Sequence, residues 1–328
     1  MHIHELTGRC DRAVSWMAGG PARGEAIAAF ILLAPALLIL IAFTAVPFLG
    51  AIALSLQQGR YDALTYVGLK NYADVLTNGD FWNSVLVTFY YLIGVVPATL
   101  LLGFFAAYAL HRVTRFQHFL RTLYFLPYIT PIVAAAMIWR ALLNTELGLV
   151  NHLFETMGWA PQQWLLEARG LLHLLLPDRF APGFGPSLSL CCVMIFDVWH
   201  NTGFVVVLFL AGFTALPREL EEAARIDGAG TVALIRHVYL PLLAPIIVFL
   251  LIVGTAGAFQ AFNSFYALTY GGNQTLGSTD NLMLYLYRSF YEYGRWGYGS
   301  TVAVILSAFI AALSWIQWRA ARNRVYAA

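Results

Sequence analysis

The sequence is short of charge: of its 328 residues 17 are acidic and 19 basic, 11% of the chain. Soluble globular proteins carry about a quarter charged residues, so the composition lies far outside that class. Lysine is almost missing, Lys70 in "GLKNY" being the single example. A phosphate-cradling P-loop needs Gly-x4-Gly-Lys-[Ser/Thr], and no such run occurs, which excludes a nucleotide site of that kind. Cysteine is scarce as well. Cys10 and the adjacent Cys191 and Cys192 give an odd count with a pair that cannot easily bridge, which argues against a disulfide framework. There is no Gly-x-Ser-x-Gly elbow and no His-Glu-x-x-His, so no catalytic constellation is visible and the chain is not expected to be an enzyme. A net charge of +2 is too small to argue for nucleic acid. No repeat of about 20–50 residues and no low-complexity tract is present.

Apolar length is abundant. The chain is 60% hydrophobic, with a mean hydropathy of +0.69. About 20 residues at roughly 1.5 Å rise cross a bilayer's hydrocarbon core, and six runs qualify. They are Ala26 to Ser55, Phe81 to Leu110, the stretch between Arg121 and Arg140, Ser187 to Ala215, Leu242 to Leu268, and Gly297 to Trp318. The first, with Arg9, Arg12 and Arg23 ahead of it, is about twice as long as a signal-peptide core and reads as a retained helix. "LLHLLLPDRFAPGFGP" (171–186) is apolar but short and broken by three prolines, so it is assigned to an external loop or an interfacial helix.

Of the 19 basic residues, 12 fall in the N-terminal segment, 111–121, 217–240 and the C-terminus, and "HRVTRFQHFLR" and "WRAARNR" contain no acid. The positive-inside rule places these segments in the cytoplasm, and Trp82, Tyr124, Trp139, Trp296 and Trp318 suit interfacial belts. The expectation is an all-α polytopic membrane bundle with six spans and both termini inside. It comprises a cytoplasmic segment 1–25, a transmembrane domain 26–318 and a cytoplasmic tail 319–328.

The densest charge cluster, "EEAARIDGAG" (221–230), interrupts this bundle between spans four and five. Pro217 suits a first helical position, Glu219, Glu221 and Glu222 suit the positive end of a helix dipole, and Gly228 suits a left-handed closing residue. A helix over 217–227 is expected, far too short to span. Thr231 can cap a second helix, which Pro241 ends or bends. Leu220, Ala223, Ala224 and Asp227 share a small, smooth face. The bland reading is a solvated connecting loop; the other is a docking helix for a further protein.

"EAARIDGAGTVALIRHVYLP" (222–241) resembles the EAA loop of permease subunits of binding-protein-dependent ABC importers. That pattern is Glu-Ala-Ala, three residues, Gly, nine residues, then Ile-x-Leu-Pro. Glu222, Ala223, Ala224, Gly228, Leu240 and Pro241 fall on it, with Val238 in place of the isoleucine. The likeness runs from about residue 30 to 318 and is closest to the carbohydrate-uptake permeases that include the maltose and glycerol-3-phosphate systems. It covers "YVGLKNYADVL" (66–76), "RTLYFLPYITPIVAAAMIWRALLNTELGLVN" (121–151) and "FYALTYGG" (265–272). Departures are a long 160–186 segment and "TYGGNQT" in place of a Gly-Gly-Gly-Pro ending.

The resemblance implies a multi-pass permease of a prokaryotic plasma (inner) membrane that forms a heterodimer with a second, homologous permease. It also implies two cytoplasmic ATPase subunits, which would hold the ATP and Mg that this chain does not. An extracytoplasmic solute-binding protein would deliver a carbohydrate: a sugar, an oligosaccharide, or a polyol or glycerol-phosphate-like solute. It implies further that Glu222, Ala223, Ala224, Asp227, Gly228, Leu240 and Pro241 form the ATPase-coupling element.

Two polar groups lie inside the spans. Asp197 and His200, with Asn201 beside them in "MIFDVWHNTGF", are costly in lipid and are expected to face the interior. At i and i+3 they either satisfy each other or border a substrate path. An ion-coupled secondary transporter using Asp197 and His200 is the competing function, whereas metal binding lacks a third ligand. "AFQAFNSFYALTY" adds Gln260 and Asn263 among Phe259, Phe262, Phe265 and Tyr266. Amides and aromatic faces suit sugars, and interhelical packing is the alternative use of the same residues. Phe259, Gln260, Asn263 and Tyr266 therefore join Asp197, His200 and Asn201 as substrate-path candidates.

Overall fold

A computed structural model describes residues 23–59, 64–113, 116–269 and 277–325. The N-terminal residues with Cys10, Arg9 and Arg12, and all of the "TYGGNQT" stretch but Thr269, lie outside the described residues. The chain divides into two units, Met1–Leu54 and Ser55–Ala328. The first carries helix α1, which runs from Arg23–Leu40 through a π-helical stretch at Ile41–Ala45 into Val46–Ser55. Phe30, Leu32, Phe43 and Leu49 are among its exposed side chains, as suits a helix that meets lipid on its faces.

The second unit opens with a two-residue antiparallel pair, β1 (Gln57–Gln58) and β2 (Thr65–Tyr66), in which Gln57 pairs with Tyr66. Short α2 (Lys70–Leu76) leads into α3 (Gly79–Arg112). Asn78 starts α3 by accepting hydrogen bonds from the backbone N–H groups of Asp80 and Phe81, at 2.8 and 3.4 Å. Ser187 does the same for α8 (Leu188–Ala215) through Leu190 N at 3.1 Å. The last long helix is α14 (Trp296–Val325). With α1 these make four helices long and apolar enough to cross a membrane among the described residues.

The third and fifth apolar runs do not form straight spans. The third is α4 (Gln117–Ile129) and α5 (Ile132–Leu142), bent by 90°. Thr130 precedes Pro131, whose ring pushes it out of the helical region to ψ 135°, so the helix stops there. The fifth consists of α10 (Thr231–Leu242), bent by 69° against α11 (Ala244–Phe259), with α12 (Asn263–Thr269) beyond a further break at 260–262. Counting each bent pair as one span brings the total to six.

Between the membrane helices, α6 (Leu149–Thr156) and α7 (Leu171–Leu175) order the 143–187 segment. Asn151 is buried there, and its amide donates to the carbonyls of Thr145 and Gln162 while its Oδ1 accepts from Gln162 N and Trp164 Nε1, all within 3.0 Å. The 171–186 stretch is a one-turn helix and a loop folded back on itself, with Gly170 N bonded to Pro182 O at 2.7 Å. Further along the described residues, α13 (Leu282–Tyr287) passes through a π turn at Arg288–Glu292 to α14.

Three apolar clusters hold the second unit together. One lies between α3, α5, α8 and α12, with Tyr91, Ala136, Phe196 and Phe265 in it. A second joins α3 and α8 to α10 through Phe104, Phe209, Phe213, Leu234 and Tyr239. The third gathers Val75, Phe81, Phe259, Leu282 and Val302. Helices approach closely where glycine permits it. A Cβ on Gly203 would stand 2.3 Å from the Tyr124 carbonyl oxygen, and one on Gly103 would stand 2.4 Å from Val205 Cγ1. Gly203→Val should therefore destabilise the bundle by about 1–3 kcal/mol, as overpacked cores do. It is checked as a lower melting temperature in detergent, with Gly79→Ala, where a Cβ meets nothing within 4 Å, staying at the wild-type value.

Candidate functional site

The breaks in the third and fifth runs border one cavity of about 310 Å³. Asp197 and Asn201 reach it from successive turns of α8, Gln260 ends α11, and Asn263 begins α12. Four of the seven substrate-path candidates thus share one wall. Tyr91, Thr99, Tyr128, Phe262 and Ser264 complete it, together with aliphatic side chains and the glycines 254 and 257.

Asp197 is the buried centre of this site. Its Oδ2 accepts hydrogen bonds from Tyr91 Oη and Ser264 Oγ, each at 2.7 Å. One carboxylate therefore ties α3, α8 and α12 together. Asn201 donates to the Asp197 backbone carbonyl at 2.8 Å, leaving its own side-chain oxygen without a partner among the described residues. Thr99 Oγ1 is buried and also has no protein partner there. Such groups call for a bound molecule or water that brings donors and acceptors.

The other three candidates sit elsewhere. Asp197 and His200 do not satisfy each other. His200 Nε2 lies 3.3 Å from the Thr130 carbonyl oxygen, and against a carbonyl the ring nitrogen donates. The imidazole caps the break between α4 and α5, with its ring stacked on Phe196 at a centroid distance of 6.0 Å. Phe259 is fully buried behind the cavity, its ring 5.6 Å from that of Phe89. Tyr266 lies beside it among aromatic rings, 5.2 Å from Phe262 and 5.7 Å from Tyr287. Of the residues that sequence reasoning missed, Ser264 adjoins Asn263 and could have been found by its neighbour. Tyr91 could not, because it sits in the apolar run "TFYYLIG", more than a hundred residues from its partner Asp197. No group of three or more His, Cys, Asp or Glu that could hold a metal occurs among the described residues.

The second candidate element is α9 (Arg218–Ile226), one residue shorter at each end than expected, with Pro217 at its N-cap and not at its first helical position. Gly228 follows with φ +83°, the left-handed closure expected of it. Gly230 takes the N-cap of α10, so Thr231 is its first residue and not its cap. Glu222, Ala223, Asp227 and Gly228 are exposed, whereas Ala224 leans on the Phe104–Tyr239 cluster. Leu240 and Pro241 are exposed on α10, just before it turns into α11. Two apolar residues that the motif does not include, Ile226 and Val232, are 86% and 77% exposed, a patch that invites a partner.

Glu221 anchors α9. It accepts from Arg225 Nη2 at 2.8 Å and stands 3.7 Å from Arg112 Nη2 at the end of α3. The Tyr239 hydroxyl, then Arg225 and Arg112, hold its carboxyl below the usual carboxylate range against the opposing effect of burial.

A family model described as binding-protein-dependent transport system inner membrane component matches residues 99–323. The chain belongs to this family. It is a multi-pass inner-membrane permease of a binding-protein-dependent ABC importer. The trehalose transport system permease protein SugA of Mycobacterium tuberculosis is 31% identical to it over 90% of this chain and 89% of that one. The trehalose/maltose transport system permease protein MalF of Thermococcus litoralis is 28% identical over 92% and 95%. Among solved structures, a chain of a bacterial ABC transporter that imports the acidic polysaccharide alginate has the same fold. Its TM-score is 0.75 over 90% of this permease and 95% of that chain, at 17% identity.

Because the folded carboxyl of Glu221 is depressed, its contribution to holding α9 is present above the ordinary carboxylate pKa. That contribution is lost as pH falls through the lower, folded value. Hydrogen-exchange protection at 218–226 is thus expected to hold above the usual carboxylate range and to be lost as pH falls from that range through the folded value, and Glu221→Gln should lower it already at neutral pH.

Proposed function

We propose that this permease passes a carbohydrate or polyol, handed over by an extracytoplasmic binding protein, through the cavity between α3, α8, α11 and α12 by alternating access. The observation that carries the reading is the cavity wall itself. Amides at Asn201, Gln260 and Asn263, hydroxyls at Tyr91, Thr99, Tyr128 and Ser264, and the rings of Phe204 and Phe262 surround one space. A sugar presents hydroxyls that pair with the former and apolar C–H faces that rest on the latter. The relatives whose names include trehalose and maltose support the same substrate class. Helix breaks lining a cavity also suit a transport path, since irregular backbone at membrane depth is tolerated where it borders such a space.

The driving force comes from outside the chain. In this reading two cytoplasmic ATPase subunits bind ATP and Mg, and a second, homologous permease completes the pathway as a heterodimer. The ATPase docks on the exposed edge of α9, where Glu222 meets a basic residue, Ala223 and Gly228 allow close approach, and Ile226 and Val232 add apolar area. The segments 1–25 and 319–328 then lie in the cytoplasm with α9. Asp197 and His200 serve as a helix tie and a break cap, so ion coupling through the pair has no geometric support.

The two sites separate by mutation. Glu222→Lys is expected to abolish co-purification of the ATPase subunits, and uptake with it. Asn201→Ala combined with Gln260→Ala should leave that assembly intact and raise the KM for uptake roughly tenfold, the loss expected of one or two neutral hydrogen bonds. Uptake in proteoliposomes and the subunit composition of the purified complex check both. If Glu222→Lys left both uptake and assembly intact, the docking site would lie elsewhere.

A further inference from the structure

The central cavity contains an acid and no base. Among its described lining residues Asp197 is the only acid, and none is Arg, Lys or His. His200, a turn away, is turned to the Thr130 carbonyl and to Phe196. The hydrogen bonds to Asp197 are both from neutral hydroxyls, and both end on Oδ2. Oδ1 has no protein partner among the described residues. A buried acid ordinarily has a cation beside it, and Asp197 has none among the described residues.

We infer that Asp197 makes this wall selective for uncharged carbohydrate and against anionic solutes such as sugar phosphates and uronic acids. The inference rests on the reading of the cavity as a carbohydrate path and narrows the substrate class. A neutral sugar hydroxyl donates to Oδ1, while neighbouring hydroxyls meet the amides of Gln260 and Asn263. A phosphate or carboxylate on the sugar brings lone pairs and a negative charge to the same place. Among the described residues it finds there no guanidinium or ammonium to offset the loss of its water, only an acid in a low-dielectric wall. Acidic substrates are commonly met by Arg or Lys in a bidentate or point contact. Neither borders the cavity among the described residues. The tie to Tyr91 and Ser264 fixes the carboxylate, so it cannot swing away to admit an anion without releasing α3 and α12.

Substrate binding to the complete permease–ATPase complex in nanodiscs, washed free of binding protein so that its selectivity does not intervene, tests this directly. Three matched pairs serve as probes: trehalose with trehalose 6-phosphate, maltose with maltobionate, and lactose with lactobionate. At least one neutral sugar is expected to bind, with its acidic counterpart at least tenfold weaker. A smaller gap, or tighter binding of the acid, overturns the inference and leaves the carbohydrate path standing. Binding of none of the six probes overturns the carbohydrate reading, and the inference with it. Asp197→Asn removes the charge and keeps the shape, and should narrow the gap at least threefold. Gln260→Lys, at an exposed position on the same wall, supplies the missing cation and should narrow it likewise. This second variant decides the matter if the first fails to assemble. A gap unchanged in every variant that assembles would sink the assignment.

Discussion

A backbone carbonyl or amide in hydrocarbon has no water to bond, so any break in a membrane helix must find its partners within the protein. This permease has two breaks beside its cavity, and each is met by a side chain from another helix. The Thr130 carbonyl, freed where α4 ends before Pro131, accepts from His200 of α8. The Ala261 carbonyl, freed between α11 and α12, accepts from Asn281 Nδ2 at 2.5 Å. Asn281 also caps α13 through Leu284 N, while Leu282 N donates to Thr88 of α3. The buried polar residues are thus the condition for a polar cavity inside an apolar bundle. Their desolvation is offset by backbone groups that would otherwise stand unpaired.

The same arrangement connects the cavity to α9. Val205 and Leu250 line the cavity and also belong to the cluster that contains Phe104, Phe213 and Tyr239. The rings of Phe213 and Tyr239 lie 5.3 Å apart, those of Tyr108 and Tyr239 5.7 Å, and Ala224 of α9 rests on this group. Glu221 adds a charged link to Arg112 on α3. Packed interiors deform little and pass displacement on to their neighbours. Side chains in contact thus run from α9 to the cavity wall.

Much of this was legible in the linear order of residues. Apolar length marked the places where helices cross, and the charge cluster between them marked α9, down to the left-handed Gly228. Pro241 foretold an end or bend of a helix near that position, but nothing foretold that the third run would turn through 90°. The bend depends on what waits to receive the freed carbonyl, and His200 lies seventy residues further along. The pairing of Asp197 with His200 suggested by their i, i+3 spacing gave way for a related reason. Each had a better partner on another helix, and local spacing does not count those.

The cavity shows the division most clearly. Asn201, Gln260 and Asn263 stood out from the sequence because amides are conspicuous in apolar runs. Phe259 and Tyr266 stood out equally, yet they fall behind and beside the space, since a one-residue rotation about a helix moves a side chain by about 100°. Tyr91 was invisible until α3 and α8 were laid together. From composition and pattern alone came a membrane-spanning helical protein with a short charged helix on the 217–241 loop, because hydropathy, charge and glycine placement act locally along the chain. Which polar groups converge, which of them cap breaks and which face open space was left to the tertiary structure, because hydrogen bonds are settled by distance in three dimensions and not by separation in sequence.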